Sequence, residues 1–235
     1  MFNSVCNKLG INVTNNNFPQ SYCVQTPGAI WQSTTLSSRT FEVNPRIFDF
    51  LEEALSDNSN SNFIVGKKRS EVAILFGAKT IVHEYIHILL SLNQVKLKTS
   101  NSETNSSIQS GFNVQKLKIG IQTEVLGTNT FDIDEGFTEF LAIYFIFIAS
   151  NIENTKDNFE IFLQASSYTL QAKKIRDLAI LLNDGSEDIK DEIIKLFLES
   201  KQNGSFQPIR KFIKDEFKHV LRANEIKCLD FSKVK

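Results

Sequence analysis

Two of the chain's three histidines stand four residues apart in T-I-V-H-E-Y-I-H-I-L-L, residues 80 to 90, with a glutamate directly after the first. Residues four apart on a helix share a face, so His83 and His87 can turn both imidazoles toward one cation. Zinc favours such nitrogen ligands, at about 2.0 to 2.1 Å. Glu84 is rotated one residue around the helix. It is badly placed to join that coordination and well placed to reach a water on the open side of the ion. Two ligands, an adjacent carboxylate base and room for a substrate are the parts of a metal-assisted hydrolase, in which zinc makes water acidic enough for Glu84 to deprotonate near neutral pH. With so few histidines, H-E-x-x-H arises by chance in roughly one chain in a few hundred of this composition.

A catalytic zinc usually has three protein ligands and a water. Leu90 and Asn93 occupy the places where H-E-x-x-H-x-x-G-x-x-H needs glycine and histidine, which excludes a metzincin. The third histidine, His219, lies in the amphipathic stretch E-F-K-H-V-L-R and reads as a face residue. The remaining ligand is therefore expected to be a carboxylate, and D-I-D-E-G-F-T-E-F-L-A, residues 132 to 142, offers several. By residue type alone Asp132, Asp134 and Glu135 all qualify.

Taken together, H-E-Y-I-H and D-E-G-F-T-E-F resemble the gluzincin clan of zinc metallopeptidases, and the likeness covers the two helices expected to carry them, about a quarter of the chain. In that clan the glutamate before the glycine is the zinc ligand, which implies Glu135 here. A carboxylate one turn later supports a ligand histidine, which implies that role for Glu139. The separation of His87 from Glu135 exceeds that of the best-known members. Bacterial members with a long S-G-F-containing insert before the E-G-x-T-E-Y/F helix are a closer likeness, and S-G-F stands at 110 to 112. Such sites also use a Tyr or His to donate to the oxyanion. Tyr168, in A-S-S-Y-T-L at a helix start, is the preferred candidate. Tyr144 is expected in apolar core, and Tyr85 is expected to point off the metal face.

These residues must be held by elements. Ser70 is expected to cap a long helix running to about Leu92, apolar nearly all round through Val72, Leu75, Phe76, Val82, Ile86 and Leu89. A second buried helix is expected from about 133 to 149, and further helices at 158 to 166, 169 to 183, 186 to 200 with Ser186 as cap, and 208 to 223. Asn44 and Pro45 read as the start of a helix through R-I-F-D-F-L-E-E-A-L, closed by a polar loop at 56 to 62. Strand-like pieces surround I-W-Q-S-T-T-L and R-T-F-E-V. Residues 96 to 110 read as a loop, and 111 to 127 as a hairpin. Elements and resemblance together imply a zincin-like α+β fold: a small N-terminal sheet region, the H-E-x-x-H helix and a helical C-terminal part. The expected division is a catalytic core at 1–150, with a loop and hairpin insert at 94–130, and a helical part at 151–235.

Composition narrows the partners. A net charge of −1, with lysines interleaved among acids, offers no footprint for nucleic acid. The longest apolar run, residues 140 to 149, is about half of what spans a bilayer. Cys6, Cys23 and Cys228 lack metal-ligand spacing and read as free thiols, with a Cys6–Cys23 bridge left open. With no secretory signal visible, a cytoplasmic address is expected. The function expected is zinc-dependent hydrolysis of a peptide or protein substrate, the peptide pairing with a strand edge from residues 36 to 43 or 112 to 121. The alternatives are a hydrolase of a non-peptide amide and a non-catalytic helical binding protein with a structural or degenerate metal site.

Overall fold

The computed structural model of the chain describes residues 2–11, 20–23, 32–35, 40–43, 69–89, 93–100, 103–119, 124–129, 131–163 and 166–216, the strands among them by their backbone. The helix expected after Pro45, its closing loop, His219 and Cys228 lie outside the described residues. Packing divides the chain into two compact units, each made of two segments, rather than at one cut near residue 150. The first comprises 1–90 and 135–189, the second 91–134 and 190–235.

The first unit is built around α2 (Arg69–Leu89) and α3 (Phe131–Ser150), with α1 (Phe2–Lys8), α4 (Lys156–Leu163) and α5 (Thr169–Leu182). Every residue of α3 from Asp134 to Phe147 is buried. A helix apolar on all sides needs neighbours on all sides. Aromatic contacts show how they pack. Phe2 of α1 meets Tyr85 of α2 and Phe145 of α3 at 5.5 and 5.3 Å between ring centroids. Phe162 of α4 is edge-on to both Phe76 of α2 and Phe147 of α3. Tyr144 lies in this core as expected, its hydroxyl donating to the Ile189 carbonyl.

The expected α+β class is corrected by this core. Every element whose side chains are described is an α-helix, and the site residues sit on helices packed against helices. The reason is α3: its all-round apolar surface is covered by other helices, so the expected sheet region is not what makes the core. The strands add backbone topology only. β1 (Gln20–Cys23), β2 (Gln32–Thr35) and β3 (Thr40–Val43) form a sheet in the order β1-β3-β2. In the second unit β4 (Asn93–Ser100), β5 (Glu103–Ser110), β6 (Asn113–Ile119) and β7 (Glu124–Asn129) run antiparallel in chain order. Of the residues at 96 to 110, expected as a loop, 96–100 and 103–110 thus lie in two paired strands. The edge expected for substrate is also overturned. β3 is the middle strand of its sheet and β6 lies between β5 and β7, so among the described residues neither offers a free edge, while 36–39 and 120–121 lie outside them.

The second unit also holds α6 (Asp191–Asn203) and α7 (Gln207–Glu216). The first of these starts five residues later than Ser186 would cap it. Asn183 holds the carbonyls of Ser186 and Asp188 with its side-chain amide, and Asp184 and Gly185 take positive φ, so the chain turns here before it coils. Gly204 closes α6 in the left-handed conformation that glycine accepts without strain. Among the described residues no helix is long and apolar enough to cross a membrane.

Candidate metal centre

Helix spacing sets up the site from both sides. Lys79, His83 and His87 recur every four residues along α2, and Glu135 and Glu139 recur every four along α3. All five side chains are buried. His83 Nε2 lies 3.1 Å from Glu135 Oε2, His87 Nε2 lies 3.3 Å from the same oxygen, and the two Nε2 atoms are 3.2 Å apart. A tetrahedron with bonds of about 2.0 Å has edges of about 3.3 Å, so the three atoms are spaced as the ligands of one small divalent ion would be. Among the described residues, His83, His87 and Glu135 are the cluster able to hold a metal ion.

The tautomer of His83 fits the same reading. Its Nδ1 is 2.8 Å from Glu139 Oε2, and a carboxylate there requires Nδ1 to carry the proton. In the neutral ring Nε2 is then left as a lone pair facing His87 and Glu135. With both rings deprotonated at Nε2, these two nitrogens and the Glu135 oxygen would be three acceptors converging on one point, which a cation can satisfy together. Glu139 is in turn held by Lys79, whose Nζ donates to Oε1 at 2.5 Å.

Electrostatics follow from this packing. Burial by itself would lower His83, but hydrogen bonds to Glu135 and Glu139 and the surrounding carboxylates outweigh it and raise the imidazole to about 10 in the metal-free protein. Burial would raise Glu135 and Glu139. The histidines overcome it for Glu135, and Lys79 with His83 overcomes it for Glu139, so both are held below the usual carboxylate range. Glu84 goes the other way: desolvation dominates and raises it, against the pull of His83 and His87. Two carboxylates on one helix face are thus kept ionised while the one beside them is made a better proton acceptor.

Tyr168 comes to the site through the turn between α4 and α5. Its backbone N–H donates to Ser166 Oγ, and the Thr169 hydroxyl reaches the carbonyls of Leu163 and Ser166, which fixes the first turn of α5. The Tyr168 ring stacks on His83, with centroids 5.8 Å apart and planes 10° from parallel, and its hydroxyl hydrogen-bonds Glu135. Burial and these carboxylates raise its pKa, so the phenol keeps its proton. Gly136 makes the approach possible. A Cβ there would stand 2.9 Å from Gln171 Cβ and 3.1 Å from Gln171 backbone atoms, so α5 lies directly on the α3 backbone.

The alternative carboxylates are turned elsewhere. Asp132 is exposed. Asp134 Oδ1 accepts from the Phe112 backbone N–H and from Lys201 Nζ, both at 2.8 Å. Gly111, at φ +55°, is needed in that turn because a Cβ there would lie 2.3 Å from the same oxygen. Gly111 and Phe112 of the S-G-F motif at 110 to 112 therefore clasp the aspartate next to Glu135. Sequence reasoning missed Lys79, Lys201 and Gly136. For Lys79 the available signal was a lysine one turn before His83 in an otherwise apolar stretch.

Compared with known proteins, the chain matches no protein-family model, no curated protein and no solved structure, so the site is read from its own geometry.

Proposed function

We propose that the chain is a zinc-dependent peptidase whose metal is held by His83, His87 and Glu135. The observation that carries this reading is the triangle of 3.1 to 3.3 Å formed by their ligand atoms, with Glu84 buried beside it. The triangle has the dimensions that three ligands of a four-coordinate zinc would have. A divalent metal bound there supplies Lewis acidity, which makes water nucleophilic near neutral pH and polarises a carbonyl.

The chain's own residues do the rest. Glu84 accepts the proton of the attacking water and returns it to the departing amine. The Tyr168 phenol, which keeps its proton, donates to the carbonyl oxygen as negative charge develops on it. Glu139 keeps the His83 proton on Nδ1. A purely structural metal site has no use for a base in Glu84's place, which favours a hydrolase over a binding protein. The resemblance to gluzincins at H-E-Y-I-H and D-E-G-F-T-E-F supports the same assignment.

Metal analysis of the purified protein, beside Glu84→Gln on a library of unstructured peptides, tests the reading. One zinc per chain in both proteins, with cleavage only by the wild type, is expected. A wild type that binds zinc yet cleaves no better than Glu84→Gln would end the peptidase reading.

A further inference from the structure

Lys79 has no part in the chemistry above, yet it is 4 % exposed inside an apolar helix, where lysine is seldom found without a partner. Its partner is Glu139, 2 % exposed, which contacts Lys79 through Oε1 and His83 through Oε2. Buried ion pairs contribute little to stability compared with apolar residues of the same volume. Stability alone is therefore a weak reason to keep this one, and its place beside a ligand histidine supplies a better one.

Charge balance sharpens the point. Glu84, Glu135 and Glu139 bring three carboxylates into one buried cluster. A divalent ion with two neutral imidazoles balances two of them, and Lys79 balances the third. We propose that Lys79 is a positioning residue of the metal centre: it holds Glu139 turned so that its second oxygen fixes His83 with Nε2 toward the ion. This rests on the metal-site reading given above.

Lys79 acts through Glu139, so removing either should weaken metal binding similarly and removing both should cost no more than removing Glu139. The test is zinc affinity by chelator competition for the wild type, Lys79→Met, Glu139→Gln and the double variant, with urea unfolding of each metal-free protein alongside. Each single variant is expected to lose about 10- to 100-fold in zinc affinity. The double variant is expected within about threefold of Glu139→Gln, since the two act as one unit. The visible bands of the cobalt-loaded Lys79→Met protein should shift in the same direction as those of cobalt-loaded Glu139→Gln, a response that a merely structural pair would not give. Should Lys79→Met fail to fold, the double variant leaves no lone buried charge, and the same expectation applies to it. Wild-type zinc affinity in the Lys79 variants, with only metal-free stability reduced, overturns the proposal and leaves the metal site standing. So do losses that multiply in the double variant. A wild type that takes up neither zinc nor cobalt overturns both.

Discussion

Replacing Gly136 with alanine sets two effects of known sign against each other. Gly136 lies within α3, where alanine favours the helix by about 0.5 to 1 kcal/mol over glycine. Against this, the new methyl would stand 2.9 Å from Gln171 Cβ and 3.1 Å from its backbone C and O, well inside the roughly 3.5 to 4.0 Å of carbon–carbon contact. Two of those three atoms are backbone in α5, so no rotamer change relieves them, and the helix must move. Overpacking of this kind costs about 1 to 3 kcal/mol. The net expectation is a destabilisation of up to roughly 2.5 kcal/mol, centred on about 1 kcal/mol. Because the displaced segment begins at Tyr168, the phenol should also move off His83 and Glu135. Urea unfolding of the metal-free protein, wild type against Gly136→Ala, measures the first effect. The peptidase turnover of the zinc-loaded proteins measures the second. A variant more stable by about 1 kcal/mol, with turnover unchanged, would mean that propensity acts alone and that α5 does not bear on α3 there.

Three further outcomes follow from the same geometry. Tyr168→Phe should keep one zinc per chain and lower kcat by about 10- to 1000-fold with little change in KM, as steady-state kinetics would report, because the lost hydroxyl donates only as charge develops. Saturating zinc should stabilise the protein by about 2.7 kcal/mol at a free concentration of 100 times Kd, read as a rise in melting temperature that EDTA reverses. Cys6 is 1 % exposed and burial pushes its thiol up to about 11. In a Cys23→Ser, Cys228→Ser background it should therefore resist thiol reagents at neutral pH and react at once in denaturant. The sign of its pH linkage is also fixed: an acid raised in the fold favours folding below pH 9, and that contribution fades as pH climbs toward 11. Rapid labelling of the folded protein would show that the α1 contact with the core opens readily.

The sequence made the metal-bearing segments legible for local reasons. His83 and His87 share a face by helix arithmetic alone, and the apolar residues flanking Glu135 marked a helix that had to be buried. Choosing Glu135 over its neighbours took the resemblance, since nothing local says that Asp134 is spent on Phe112 and Lys201. A lysine one turn before His83 was visible, but its pairing was not, because Glu139 lies 60 residues away and pairing at that range leaves no periodic trace. Of the strands at 93–100 and 103–110, β5 was hidden by composition: E-T-N-S-S-I-Q-S carries polar residues on both faces, which removes the alternation that marks a half-buried strand. The alternation V-K-L-K in β4 is short, yet the register Asn93↔Ser110 to Ser100↔Glu103 pairs the two. The fold class was misjudged for the opposite reason: the strand-like pieces at 32–43 were conspicuous, whereas the number of helices needed to surround α3 is a tertiary fact.

X-ray absorption of the zinc-loaded protein tests the central claim most directly, since it reads ligand type and distance together. The account predicts one zinc per chain with two imidazole nitrogens at about 2.0 to 2.1 Å and light oxygen ligands at about 2.0 to 2.2 Å, the imidazole signal falling by half in His87→Ala. Sulfur at about 2.3 Å, or a spectrum unchanged by His87→Ala, would place the metal elsewhere and contradict it.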